Sequence, residues 1–158
     1  ERAHLARDPD PQIALVAVVA GVPVDADEHL FEAQRLRDER RYELAVIEAQ
    51  TYCEMHIRYY MELLAANQGN IVLTIARNQR SWALQDQSGQ ALFTMLADRR
   101  PQDFPHWNDY SLHVNRRNRI VHHGERVEQA DAEASIEAVV GFRMSVDAAA
   151  REAEPNRE

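Results

Sequence analysis

Apolar residues recur along this chain at helical spacing for most of its length. From Tyr42 to Ala66, placed at 100° per residue, Ala45, Ala49, Tyr52, Cys53, Tyr59, Tyr60, Leu63 and Leu64 share one wide arc. Glu43, Gln50, Glu54 and Arg58 form the opposite stripe, and His56 falls inside the apolar arc as a buried, hydrogen-bonded histidine. The pattern predicts a long helix closed by the turn signal Asn67-Gln68-Gly69-Asn70. Before it, Asp25 or Asp27 caps a helix that runs to about Asp38. After it, a third helix starts near Ile71, Ser88-Gly89-Gln90 breaks it, and Ala91 to Ala97 resumes as a short helix. Pro101 to Pro105 reads as a loop. A further helix runs from about His106 and stops at Gly124, and a last one runs from about Ala130 to Ala150 with Ile136, Val139, Val140 and Val146 inward. One stretch breaks the helical rhythm: Ile13 to Val19 is β-branched and ends at Gly21 and Pro23, which predicts a short strand.

The elements add up to an all-α fold, an antiparallel bundle of four to five helices with a short N-terminal β-strand. Residues 1–24 read as a tail and strand from a truncated upstream region, 25–152 as the helical domain, and 153–158 as a disordered tail. The first residue is Glu1 rather than Met, the expectation for a domain cut from a longer protein. With 158 residues and 45% hydrophobic content, one domain can bury a real core. The net charge of -8 argues against a general nucleic-acid coat protein, whose affinity comes from neutralising phosphates, and leaves room for a small local basic site. The single Cys53 fits a reducing cytoplasm and a small core residue. Ile13 to Val22 is too short to span a bilayer and comes after Asp8 and Asp10 rather than a basic segment, so neither membrane nor secretory signal is expected.

Candidate chemistry gathers in Arg117-Asn118-Arg119-Ile120-Val121-His122-His123-Gly124. A fixed guanidinium and an imidazole that titrates near neutral pH are the pair that phosphodiester cleavage asks for, one to hold the phosphorane and the other to move protons. The spacing alone is weak, because Arg100 to His106 repeats it across Pro101 and Pro105, where no helix could hold it. On the motif helix, Trp107, Tyr110, Val114 and Val121 fall in an arc about 60° wide, with Arg117 on one flank and His122 on the other, about 140° apart. A single ideal helix does not bring them to one phosphate; two copies across a twofold axis do. A catalytic reading therefore predicts a homodimer. Arg116, Arg119 and His123 form a basic stripe on the far side, fit to hold a nucleic-acid backbone or simply solvated, since cations are favoured in a last turn in any case. Adjacent His122 and His123 chelate poorly and no His-Glu-x-x-His pattern occurs, so neither metal nor other cofactor is expected. Trp107 and Tyr110 could stack on bases but, as half of the apolar arc, read as packing residues.

Leu112 to Gly124, read L-x-x-x-x-R-N-x-I-V-H-x-G, resembles the signature of HEPN (higher eukaryotes and prokaryotes nucleotide-binding) domains, an Arg, a polar residue, then a His after four to six positions. Arg41 to Glu54 resembles the long second helix of bacterial HEPN proteins, and Gly124, Val127 and the Ala-rich helix from Ala130 match the segment usual downstream of the motif in that family. The resemblance spans about Asp25 to Ala150. It implies a dimeric bundle of four to five helices and a metal-independent endoribonuclease. Arg117 would bind the scissile phosphate, His122 would act as general base or acid while the ribose 2′-hydroxyl attacks, and Asn118 would orient the phosphate or the His. Many relatives of this kind serve toxin–antitoxin or phage-defence systems, which implies RNA as substrate and an antitoxin or upstream regulatory domain as partner. Others have lost catalysis, so a non-catalytic module for RNA binding or protein interaction is the alternative.

Overall fold

The computed structural model describes residues 24–78 and 84–152. Within them the chain forms six helices: α1 (Val24–Asp38), α2 (Tyr42–Ala66), α3 (Asn70–Arg77), α4 (Gln87–Ala97), α5 (Trp107–His123) and α6 (Gln129–Glu152), with a 3₁₀ turn at Pro101–Asp103. The all-α bundle expected from the apolar periodicity is the observed architecture. The strand expected at Ile13–Val19 and the tails at 1–23 and 153–158 lie outside the described residues.

Helix α2 is the axis of the bundle, packed by α1 and α6 most extensively and by α3, α4 and α5 as well. Being covered from several sides, it buries more than one apolar stripe. Ala45, Tyr52 and His56 on one flank and Ile57, Met61 and Gln50 on the other are all buried, an arc of about 180° at 100° per residue. Gln50, expected on the solvent stripe, is therefore inside. Helices joined by short turns run antiparallel, α1 against α2 and α5 against α6. Helices α2 and α6 run in the same sense: Val46 clusters with Ala132 at one end, and Tyr60 senses the Asp147 charge towards the other. Helix α5 lies between them, antiparallel to both.

The centre of the core is aromatic. Tyr110 stacks on Phe142 with ring centroids 4.4 Å apart, and Trp107 and Phe104 meet the same Phe142 ring edge-on at 5.8 and 6.4 Å. Phe104 in turn meets Phe93 at 5.5 Å. This lattice ties α4, the 3₁₀ turn, α5 and α6 together at one level. A second, smaller cluster of Leu36, Ala45, Val46, Ile120, Val127 and Ala132 closes the end of the bundle at which α5 terminates.

Two local structures differ from expectation or rest on a special backbone. Ser88-Gly89-Gln90, expected to break a helix, forms the first turn of α4 instead, because the Asp86 carboxylate accepts from the Gly89 N–H at 2.7 Å and caps it. Ala91 to Ala97 is thus the body of a longer helix. At the end of α1, Arg40 takes a left-handed conformation (φ 62°), and the N–H groups of Arg40 and Arg41 donate to the carbonyls of Arg37 and Leu36 at 2.9 and 2.8 Å. This is a Schellman closure with arginine where glycine is favoured, at a cost of about 1 kcal/mol.

Candidate functional site

Helix α5 carries the Arg–His motif, and its register decides what the motif can do. Its buried residues are Tyr110, His113, Val114 and Ile120. The covered face is thus centred on the row of Tyr110 and Arg117, rotated about 50° from the arc of Trp107, Tyr110, Val114 and Val121 that hydrophobicity predicts. Two physical reasons account for the rotation. Ile120 is drawn into the end cluster with Val46 and Ala132, while Val121, in the last turn, remains 46% exposed. His113 is tolerated inside because α2 offers it a partner.

That partner is Gln50. His113 Nε2 lies 2.9 Å from Gln50 Oε1, and Gln50 Nε2 donates to Glu54 Oε1 at 2.6 Å. With the amide nitrogen committed to Glu54, the amide oxygen faces the ring, which assigns the Nε2–H tautomer to His113. Tyr110 also hydrogen-bonds Gln50. Burial, with Arg116 and Arg117 nearby, pushes the His113 pKa down to about 3, so the ring is neutral at physiological pH. Its Nδ1 is buried with no hydrogen-bond partner. None of this polar spine is evident from the periodicity of either helix. The signal in the sequence is His113 standing one helical turn before Arg117 on the same face.

Arg117 projects from the middle of that inward face and is half-buried. Its Nη1 donates to Asn118 Oδ1 at 3.1 Å, its Nε is buried without an acceptor, and no carboxylate pairs with it among the described residues. The neighbouring arginines are committed. Arg116 reaches Asp131 at 3.0 Å and Ser135 Oγ at 2.8 Å, tying α5 to α6, and Arg119 pairs with Glu125 at 2.7 Å. The stripe of Arg116, Arg119 and His123 is therefore largely neutralised within the chain. His122 and His123 are exposed in the last turn of α5. Arg117 and His122 point about 140° apart, so one protomer brings Arg117 and Asn118 together and leaves His122 on another face. Gly124 ends the helix at φ 63°, and its N–H donates to Ile120 at 3.0 Å, as the motif's final glycine predicts.

His56 is buried as expected, edge-on to Tyr52 at 4.6 Å, but the hydrogen bond expected with it is not made at Nε2, which is buried without a partner and lies 4.0 Å from Asp27. Desolvation and then the Arg143 charge push its pKa down to about 4. Among the described residues no group of three His, Cys, Asp or Glu side chains is placed to hold a metal ion, and no helix is long and apolar enough to cross a membrane. In comparisons with known proteins, no protein-family model, curated protein or solved structure matches the chain.

Proposed function

We propose that this chain is a metal-independent endoribonuclease of HEPN type that acts as a homodimer, with Arg117 and His122 central. The observation that carries the reading is the Arg117 guanidinium, half-buried, oriented by Asn118 and left without a carboxylate on the helix that bears the motif. A guanidinium held away from bulk water with an unused N–H is a receptor for an oxyanion such as a phosphate. The scissile phosphate sits on Arg117. His122 of the second protomer takes the proton of the ribose 2′-hydroxyl, whose oxygen attacks phosphorus. The bond to the 5′-oxygen breaks, that oxygen is protonated, and a 2′,3′-cyclic phosphate and a 5′-hydroxyl result. In this scheme the exposed His123 steers the RNA backbone, and Arg116 and Arg119, expected from the sequence to do the same, fix the end of α5 through Asp131 and Glu125. A cytoplasmic toxin or phage-defence setting, with an antitoxin or upstream regulatory domain as partner, belongs to the same reading.

The test is cleavage of single-stranded RNA in EDTA. Arg117→Ala and His122→Ala each lower the rate by about 10²-fold or more, and sedimentation gives a dimer. Unchanged cleavage in both variants refutes the assignment. A second reading, a non-catalytic HEPN module for RNA binding or regulation, draws on a specific observation: His122 has no hydrogen-bond partner among the described residues to fix its tautomer, which catalytic histidines generally require. It predicts RNA or protein binding without cleavage and indifference to His122→Ala.

A further inference from the structure

A cleft of about 550 Å³ opens beside the end of α5, between the α1–α2 turn and the segment after Gly124. Its lining includes Arg40, Arg41 and Arg126 together with Leu44, Ile120 and Gly124. Three cations around one cleft stand out in a chain of net charge -8. Arg40 makes no ion pair among the described residues. Arg41 reaches Glu39 only at 3.8 Å, and Arg126, 90% exposed, reaches Glu43 at 3.4 Å. The two acidic residues in the lining are already engaged, Glu125 by Arg119 at 2.7 Å and Glu43 by the backbone at its own position and at Val127.

Placement links this cleft to the motif. Ile120 and Gly124 lie within about 60° of Arg117 around α5, and Gly124 is about 10 Å from Arg117 along the axis. The cleft therefore continues the Arg117 face, not the His122 face. The left-handed conformation at Arg40 carries a large cation at a site where glycine would relieve the backbone. Leu44 is 41% exposed, an apolar surface for a base or ribose between the charges.

We infer that this cleft is a backbone subsite for single-stranded RNA, in which Arg40 and Arg126 hold phosphates next along the strand from the one at Arg117. This rests on the proposed function for its direction along the strand, but binding in the cleft needs no cleavage. The C-terminal dipoles of α1 and α5 oppose an anion here, yet dipole effects fade within a turn and the two helix ends are closed by their own hydrogen bonds. The arginines decide the sign.

The experiment is fluorescence anisotropy with a labelled 2′-O-methyl oligouridylate, which lacks the attacking hydroxyl and cannot be cleaved. Arg40→Gly and Arg126→Ala each weaken binding at low salt by at least several-fold, and each flattens the slope of log K against log salt by about 0.7, the loss of one phosphate contact. Arg58→Ala, the same charge change on an exposed face of α2, has a much smaller effect. Arg40→Gly also raises Tm by about 2–4 °C, so weaker binding by a more stable protein is not a folding defect. Affinity and salt slope unchanged in both cleft variants, or matched by Arg58→Ala, overturns the subsite. Cleavage lost in Arg117→Ala with cleft variants that bind normally removes the subsite and leaves the nuclease. Cleft variants that bind weakly, in a protein that never cleaves, leave the subsite and remove the nuclease.

Discussion

Acidification should destabilise this bundle well before its carboxylates titrate. Two histidines are buried neutral, His56 with a pKa pushed down to about 4 and His113 to about 3. An unfolded histidine titrates near 6.5. Between these values the unfolded chain binds two protons that the folded chain refuses, so stability is whole above pH 6.5 and falls as pH falls. Each histidine contributes a slope of about 1.4 kcal/mol per pH unit, which from pH 7.5 to pH 5 amounts to about 4 kcal/mol for the pair. Against a typical domain stability of about 5–15 kcal/mol, that is a large share. Desolvation sets the sign at each ring, and the charges facing it add to the shift. Arg116 and Arg117 on α5 crowd His113, with Glu54 reached only through Gln50. Arg143 outweighs the more exposed Asp27 at His56. Urea unfolding monitored by tryptophan fluorescence at pH 7.5 and pH 5 measures the loss. His56→Gln and His113→Gln each remove about half of the pH-dependent part whatever they do to stability at pH 7.5. A wild-type protein that loses no more than the double variant refutes the reasoning, as does an imidazole NMR titration placing either ring near 6.5 in the folded state.

The same interior has other consequences. Gln50→Leu leaves His113 Nε2–H without an acceptor and Glu54 without its donor, and should cost about 1–3 kcal/mol, seen as a fall in Tm of several degrees; a neutral result would show that the spine is not maintained in solution. Cys53 is fully buried, and burial with Glu54 nearby pushes its thiol pKa far upward. Its reaction with a disulfide reagent in the native protein should be about 10³-fold or more slower than in urea, and rapid native labelling would contradict the packing of α2.

Helix positions and ends were legible because they depend on local chemistry. The periodicity of Tyr42 to Ala66, the turn after Asn67 and the αL glycine at Gly124 all arise from spacing and φ preference. Rotation about the helix axis was not legible to the same degree. It depends on which neighbours a helix acquires, and α2 acquires enough of them to bury Gln50 from a stripe of otherwise polar residues. The buried Gln50 then permits a buried His113, which moves the covered face of α5. A window of sequence around either residue sees only a polar side chain. Gly89 failed for the converse reason: its composition signals a break, but the Asp86 cap three residues earlier turns the same residues into a helix start.

The two halves of the motif do not stand on equal ground. Cations near a helix C-terminus are expected from the macrodipole alone, and His122, exposed in the last turn of α5, is accounted for by that bland explanation as well as by catalysis. Arg117 is not. It stands more than a turn before the helix end, faces inward, and bonds Asn118 rather than a terminal carbonyl. Its buried Nε–H has no acceptor, an arrangement that costs stability and that a lysine, leucine or glutamine would avoid. The chain meanwhile neutralises Arg116 and Arg119, on either side of it, with Asp131 and Glu125. A structural arginine would be expected to share that treatment. Leaving this half-buried guanidinium without a carboxylate among the described residues makes sense if an anion completes it, and so the arginine, more than the histidine or the spacing between them, points to function.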